Sequence, residues 1–271
     1  MDRIAIIMDA SARVREVLAP IRADAPVPTC PEWDTLALAQ HLAQVHAFWA
    51  AILGRGLVNE EDVAELEREL AAATPQDEDL PAALVRLEGA TAALAAQLRE
   101  LGDSELRWSW WEAEQNVGFT RRMQTYEATM HRVDAELAAD LDPSPIAPDV
   151  ASGAIDHAVD VMWGWVPPES EPDWTHVVAL EASDTGERWL VRVGSWSAAA
   201  GEVEASGSVA ARAEFSSSGS APTPSKEADA VARGNVADLA LWAWGRGGEV
   251  EVLGAPDAVT ALGELIAAGI Q

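Results

Sequence analysis

The fold of the first half of this 271-residue chain depends on the stretch TRRMQTYEATMHRVDAE, residues 120–136. Its spacing predicts an α-helix from about Gly118 to Ala139. Glu127 and His131 are four residues apart, so on a helix they lie one turn apart on the same face, with Cβ atoms about 5–6 Å apart. Both could reach one divalent metal ion at bond lengths of about 2.0–2.2 Å. A solvated Glu–His pair on an exposed helix face is the alternative.

A second segment can supply a third donor. The stretch LALAQHLAQVHAFW, residues 36–49, belongs to a predicted helix that begins at Asp34 or Thr35 and ends near Leu53. His41 lies on its apolar stripe and should face the interior of a helical bundle. A buried imidazole needs a partner for each ring nitrogen, and a metal ion would satisfy one of them. A core histidine bonded to a backbone group is the equal alternative.

The other histidines and the single cysteine are weaker candidates. His46 is five residues from His41 and therefore points about 140° away from it on a helix. His157 and His176 have no second donor at a useful spacing, so we expect structural or surface roles for them. Cys30 lies beside Pro31 without a local nucleophile signature, and we expect it to be inert.

The rest of the first half is also predicted to be helical. An acidic helix falls within residues 58–78, and Pro81 opens a long helix that ends near Leu101. Further helices are predicted at residues 2–20 and 151–165. Prolines at 143, 145 and 148 end the metal-ligand helix.

The pattern changes after Pro168. Polar and apolar residues alternate at 174–182 and 188–194, which predicts a β-hairpin. Residues 201–215 predict a weak strand, and residues 216–225 predict a flexible loop. A strand near 228–232, a helix at 235–244, a strand at 249–253 and a helix at 256–269 follow. This order predicts the fold class α + (α+β), with a helical domain at residues 1–168 and a small α+β domain at residues 169–271.

Charge and cysteine content exclude several classes of function. The formal net charge is −27 and the isoelectric point is about 4.3, so the surface repels phosphate backbones and anionic membranes. A single cysteine allows no intrachain disulfide, which fits a reducing cytoplasm. No signal peptide and no uninterrupted run of 18 apolar residues is present. The sequence therefore predicts a soluble cytoplasmic protein without nucleic-acid or membrane partners.

Two N-terminal motifs resemble the mycothiol-dependent maleylpyruvate isomerase family. They are VPTCPEWDTLALAQHLAQVHAFW at residues 27–49 and NVGFTRRMQTYEATMHRVDAE at residues 116–136. Three later segments are similar to the small α+β domain of that family. They are ASDTGERWLVRVG from residue 182, GNVADLALWAWGR from residue 234 and EVEVLGAPDA from residue 249.

The resemblance implies a DinB-like four-helix bundle followed by a small sterol-carrier-protein-like α+β domain. It implies that His41, Glu127 and His131 bind zinc and leave a fourth position open to water or a thiol. Mycothiol would be the thiol cosubstrate. Its thiolate would add to a conjugated double bond, which rotates before the thiol leaves. We expect the active site in the cleft between the two domains.

The resemblance also assigns a catalytic role to Arg246, as an anchor for an anionic substrate. Its alternative is a cation at a helix C-terminus that interacts with the helix dipole. Arg121 and Arg122, at the start of the metal-ligand helix, could contact substrate carboxylates or be surface charges. Asp134 could orient the ring of His131 or pair with Arg132.

Departures from the family pattern leave the substrate open. Tyr126 stands where the family usually has His, and Trp108, Trp110 and Trp111 could line a pocket or belong to the core. A non-haem iron enzyme with the same two-His-one-Glu site is one alternative. A non-catalytic small-molecule-binding protein is another, and either a monomer or a homodimer is expected.

Overall fold

The computed structural model describes residues 1–75, 77–167, 170–200, 203–213 and 228–270. The chain divides into two compact units, Met1–Pro145 and Ile146–Gln271. The first contains helices and the second contains a mixed sheet with helices. The predicted helical N-terminal region and the predicted α+β C-terminal region are therefore confirmed, while the DinB-like and sterol-carrier-like assignments stay predictions.

Each helix of the first unit begins at a side chain that accepts a hydrogen bond from a backbone N–H three residues later. The helices are α1 (Arg3–Leu18), α2 (Thr35–Arg55), α3 (Glu60–Ala73), α4 (Leu80–Glu100) and α5 (Val117–Ala138). The capping residues are Asp2, Asp34, Asn59, Asp79 and Asn116. Such caps satisfy N–H groups that have no partner within the helix, so the sequence itself sets where these helices start.

The core of the first unit is formed by apolar side chains of α1, α2 and α4. Helix α2 packs along α4, and α1 packs against α4 and α5. Leu38 and Leu42 of α2 meet Leu84 and Leu87 of α4 in one buried cluster. The acidic helix α3 contacts α2 from outside this core.

Helix α2 has the length and the apolar composition of a membrane span. Its 21 residues, with a mean hydropathy of 1.3 over an 18-residue window, meet the length and composition criteria for a membrane span. The sequence predicts no span, because it contains no uninterrupted run of 18 apolar residues. The core helix of a soluble protein meets the same criteria, and Leu38, Leu42 and Ile52 of α2 are buried in this bundle. Packing within the bundle therefore accounts for the composition of α2.

The second unit is built on a five-stranded sheet in the order β3-β2-β1-β4-β5. Among the strand pairs that the structure describes, only β1–β4 is parallel. Its elements are α6 (Pro148–His157), a π-helical turn (Ala158–Met162), β1 (Glu171–Ala182), β2 (Arg188–Ala200), β3 (Val203–Arg212), β4 (Ala230–Gly234), α7 (Val236–Ala243), β5 (Glu251–Gly254) and α8 (Pro256–Ala268). One face of the sheet is apolar and buried, and it includes Val178, Val191 and Ala232.

The hairpin is longer than predicted. Strand β2 continues to Ala200 because β3 pairs with it as far as Ala200–Val203. The small residues of this segment carry no alternating hydrophobic pattern, so no strand signal is visible in its sequence. The predicted loop at 216–225 lies outside the described residues, as does part of the predicted strand at 201–215.

The unit boundary also differs from the prediction of 168/169. Helix α6 groups with the second unit, which starts at Ile146. The reason is packing: α6 contacts α7, and the indole Nε1 of Trp244 donates to the carbonyl of Ala154 at 3.0 Å. A helical pattern alone does not show which neighbours a helix will have.

We expect Leu87→Ala to lower the free energy of unfolding by about 2–5 kcal/mol, since it deletes a fully buried side chain and leaves a cavity. Val85→Ala on the same helix is the matched control, because Val85 is 68% exposed and its loss should change stability by less than about 0.5 kcal/mol. Urea denaturation followed by tryptophan fluorescence measures both. Equal effects would contradict the packing described for α4.

Candidate metal centre

Helices α2 and α5 run antiparallel, and contacts at both ends fix their relative position. Just before α5, Leu106 pairs with Asn116, and the guanidinium of Arg107 donates to the carbonyl of Leu53 near the end of α2. At the other end, Thr29 in the segment before α2 donates to Asp134 near the end of α5. The middle of α2 therefore lies beside the middle of α5.

This arrangement brings together the three side chains predicted from sequence. The distance from Nε2 of His41 to Oε1 of Glu127 is 3.6 Å, and that from Nε2 of His131 to the same oxygen is 3.3 Å. The three donor atoms all lie within 4.8 Å of one another. His41 comes from α2, and Glu127 and His131 come from α5 at the predicted four-residue spacing.

These distances fit a metal ion of the size of zinc. Two donors that each bind a tetrahedral ion at about 2.0–2.2 Å lie about 3.3–3.6 Å apart. In addition, Nε2 of His41 is buried and has no hydrogen-bond partner among the described residues. Three protein donors with a fourth position left for a small molecule are the usual set of a catalytic zinc site, whereas structural sites have four.

Asp134 holds the ring of His131 in place. Its Oδ2 lies 2.8 Å from Nδ1 of His131, and its Oδ1 accepts a hydrogen bond of 2.6 Å from the hydroxyl of Thr29. With its proton on Nδ1, the imidazole presents the Nε2 lone pair to an ion, as metal-binding histidines commonly do. Arg132, the alternative partner predicted for Asp134, donates to the carbonyl of Ser144.

The electrostatics favour a cation at this position. Burial alone would raise the pKa of Glu127, but the neighbouring imidazoles of His131 and His41 lower it well below its usual range. Burial would lower the pKa of His131, but Asp134 and Glu127 outweigh it and raise this pKa to about 9. In the absence of a metal, the positive charge of His131 is therefore held between two carboxylates.

Trp33 packs against both imidazoles. Its ring centroid lies 4.6 Å from that of His41 and 5.8 Å from that of His131. The side chains of His41, Glu127 and His131 are 29%, 19% and 3% exposed, respectively. His41 and Glu127 therefore lie nearer the surface of the unit, although Nε2 of His41 itself is buried, while His131 lies on the inner side.

The helical first unit matches a known protein family. Residues 4–136 match the family model described as the mycothiol maleylpyruvate isomerase N-terminal domain. This part of the chain belongs to that domain family. Helices α1 to α5 and the three candidate metal ligands all fall within the matched residues, whereas Arg246 falls outside them.

The fold likeness extends beyond the mycothiol maleylpyruvate isomerase N-terminal domain. The chain is similar to a crystal structure of a histidine-to-alanine mutant of mycothiol-dependent maleylpyruvate isomerase, with a TM-score of 0.58 and 14% sequence identity. The alignment covers 93% of this chain and 91% of that one. At this identity the likeness shows a shared fold. No curated protein sequence matches the chain.

His46 occupies the interior of this isomerase-family domain. It is fully buried, and its Nδ1 lies 2.9 Å from the hydroxyl oxygen of Thr91 on α4. Burial lowers its pKa to about 3, so the ring is neutral. Its other nitrogen, Nε2, has no hydrogen-bond partner among the described residues.

The two arginines at the start of α5 contact the protein itself. Arg121 donates to the carbonyls of Leu98 and Leu101, where α4 ends. Arg122 donates to the carboxylate of Glu114 at 2.6 Å. Among the described contacts, both therefore stabilise the entry into α5.

The aromatic departures from the family pattern have partners within the domain. Trp108 stacks on Trp49 of α2, with ring centroids 6.0 Å apart. Tyr126 is buried, and its hydroxyl accepts a hydrogen bond of 3.1 Å from Arg3 on α1. The position before Glu127 therefore faces α1, and the substitution there changes a helix–helix contact.

Arg246 lies in the second unit and is 6% exposed. Its guanidinium donates to the carbonyls of Trp244 and Ile270, each at 2.6 Å. In the same unit, His157 is buried and stacks on Trp244, and His176 is a partly buried residue of β1. The role of Arg246 as a substrate anchor stays a prediction.

We expect Asp134→Asn to weaken zinc affinity about 10–100-fold, because a carboxamide orients the His131 ring less firmly and stabilises its bound form less. Competition with a chelating dye measures the affinity. Asp142→Asn, at an exposed position beyond α5, is the control and should leave it unchanged. Equal affinities in both variants would contradict the proposed support of His131 by Asp134.

Proposed function

We propose that this protein is a zinc-dependent enzyme that uses mycothiol, or a similar small thiol, either to isomerise a small anionic or unsaturated molecule or to transfer the thiol onto it. The observation that carries the proposal is the spacing of three donor atoms. Oε1 of Glu127 lies 3.3 Å from Nε2 of His131 and 3.6 Å from Nε2 of His41. Membership of residues 4–136 in the isomerase domain family supports the thiol.

The residues around the centre have separate tasks in this proposal. His41, Glu127 and His131 hold the ion, and Asp134 fixes the tautomer of His131. A zinc ion held there would lower the pKa of a bound thiol and make its thiolate available near neutral pH. The partly exposed edges of His41 and Glu127 leave one side of the centre accessible to a small molecule.

An anionic substrate would need a cation in a chain whose net charge is −27. The family resemblance proposes Arg246 for this task. Its contacts with the carbonyls of Trp244 and Ile270 equally serve to hold the end of the chain, so a structural role is the alternative. A cytoplasmic location and a monomeric or dimeric state complete the proposal.

A non-haem iron enzyme is the second candidate, and one observation favours it. Two histidines and one carboxylate with open coordination positions are also the donor set of non-haem iron oxygenases. Elemental analysis of aerobically purified protein separates the two, since stoichiometric zinc supports the thiol enzyme and stoichiometric iron supports the oxygenase.

We expect Glu127→Ala to reduce bound zinc from one ion per chain to near zero, because only two donors remain. Elemental analysis by mass spectrometry measures the metal content. Glu61→Ala, at an exposed position of α3, is the matched control and should retain the metal. Full metal occupancy in Glu127→Ala would remove Glu127 from the site.

We expect mycothiol to produce a thiolate-to-metal charge-transfer band when cobalt(II) replaces zinc, because the thiol would bind the open position. Absorption spectroscopy measures the band. Chelation should abolish the band and turnover together, and added metal should restore both. A cobalt-loaded protein that shows no band with saturating mycothiol would contradict the thiol-dependent proposal.

A further inference from the structure

The polar face of α5 continues past the metal centre into the bundle. Thr120, Gln124, Glu127 and His131 follow one another at spacings of four, three and four residues, so they share one face of the helix. The first two are buried, at 0% and 1% exposure. The hydroxyl oxygen of Thr120 and Oε1 of Gln124 have no hydrogen-bond partner within the described residues.

His46 reaches the same interior from α2. Because α2 and α5 are antiparallel, the step from His41 to His46 and the step from Glu127 to Gln124 lead toward the same end of the bundle. The charges of Glu127, His131 and His41 all act on His46, so the ring lies within electrostatic range of the metal centre.

The hydrogen bonds of Thr91 decide which nitrogen of His46 carries the proton. The Thr91 hydroxyl donates to the carbonyl of Leu87, one turn earlier on α4, at 2.8 Å. Its oxygen is therefore left to accept from Nδ1–H of His46. Nε2 consequently holds a lone pair, and it is buried without a donor among the described residues. Buried polar atoms of folded proteins nearly always have a partner, so this lone pair is suited to accept a hydrogen bond from a bound molecule.

We propose that His46, together with Gln124 and Thr120, forms a subsite that accepts hydrogen bonds from the hydroxyl or amide groups of the molecule bound at the metal centre. The subsite selects small thiols that carry N–H or O–H donors over purely aliphatic thiols. This inference rests on the proposed function for the identity of the ligand. His46 binds the ligand in this scheme and is not a metal ligand.

The test compares mycothiol with ethanethiol, which has no donor apart from its thiol, on the cobalt(II)-substituted full-length protein. His46→Asn keeps a side-chain amide near the position of Nδ1, where it can still donate to Thr91, and removes the acceptor at Nε2. We expect His46→Asn to bind cobalt normally and to raise the dissociation constant for mycothiol about tenfold, with ethanethiol unchanged. His46→Gln, which returns a polar atom near Nε2, should recover most of the lost affinity.

Gln124→Met is the second variant, in case His46→Asn does not fold. It removes an acceptor at similar volume, and we expect the same selective loss for mycothiol. Loss of cobalt in His46→Asn, or an equal loss of affinity for both thiols, would assign His46 to support of the metal site and overturn the inference. If the wild-type protein shows the band and both variants keep the wild-type affinity for mycothiol, this inference is overturned and the proposed function stands. No band in the wild-type protein with either thiol would overturn the proposed function and this inference with it.

Discussion

The antiparallel contact between α2 and α5 is the constraint on which the rest of the first unit depends. It sets His41 of α2 against Glu127 and His131 of α5, which are 86 and 90 residues later in the chain. A shift of one residue along either helix would turn a side chain by about 100° and separate the donors. Arg107 at one end and Thr29 at the other hold this position through hydrogen bonds to the opposite helix or its neighbouring residues.

Two carboxylates of the α5 motif, Asp134 and Glu136, are fully buried. An unpaired buried polar group costs about 1–3 kcal/mol, and the buried carboxylates near the end of α5 avoid this cost through hydrogen bonds. Glu136 accepts hydrogen bonds from Arg13 of α1 and from the backbone N–H of Ser144. Asp134 bonds to Thr29 and His131. Asp134 thereby ties the segment before α2 to α5, and Glu136 ties the segment after α5 to the same helix, while Asp134 also contacts the candidate ligand His131.

Local signals in the sequence were sufficient for the helices and for the three donor residues. Asn116 caps α5 within one residue of the predicted start, and Asp34 caps α2 as predicted. The spacing of Glu127 and His131 and the apolar context of His41 predicted that these side chains could meet, as they do, and their role as metal ligands stays a prediction. Contacts across loops were not predictable in this way. Trp33 and Thr29 reach α5 from an irregular segment without periodicity, and the lone pair of His46 depends on a partner on α4.

The three donors differ in how firmly the protein holds them. His131 is almost fully enclosed and is fixed by Asp134, whereas His41 is the most exposed of the three and has no hydrogen bond at Nε2 to a described residue. An ion at this centre would therefore leave in steps, with His41 detaching first and His131 last. An entering chelator could occupy the position that His41 vacates before the ion is free, so the rate of metal exchange would rise with the concentration of the chelator. The uneven enclosure of the two imidazoles would thus give a metal ion bound between them one side for exchange and one for retention.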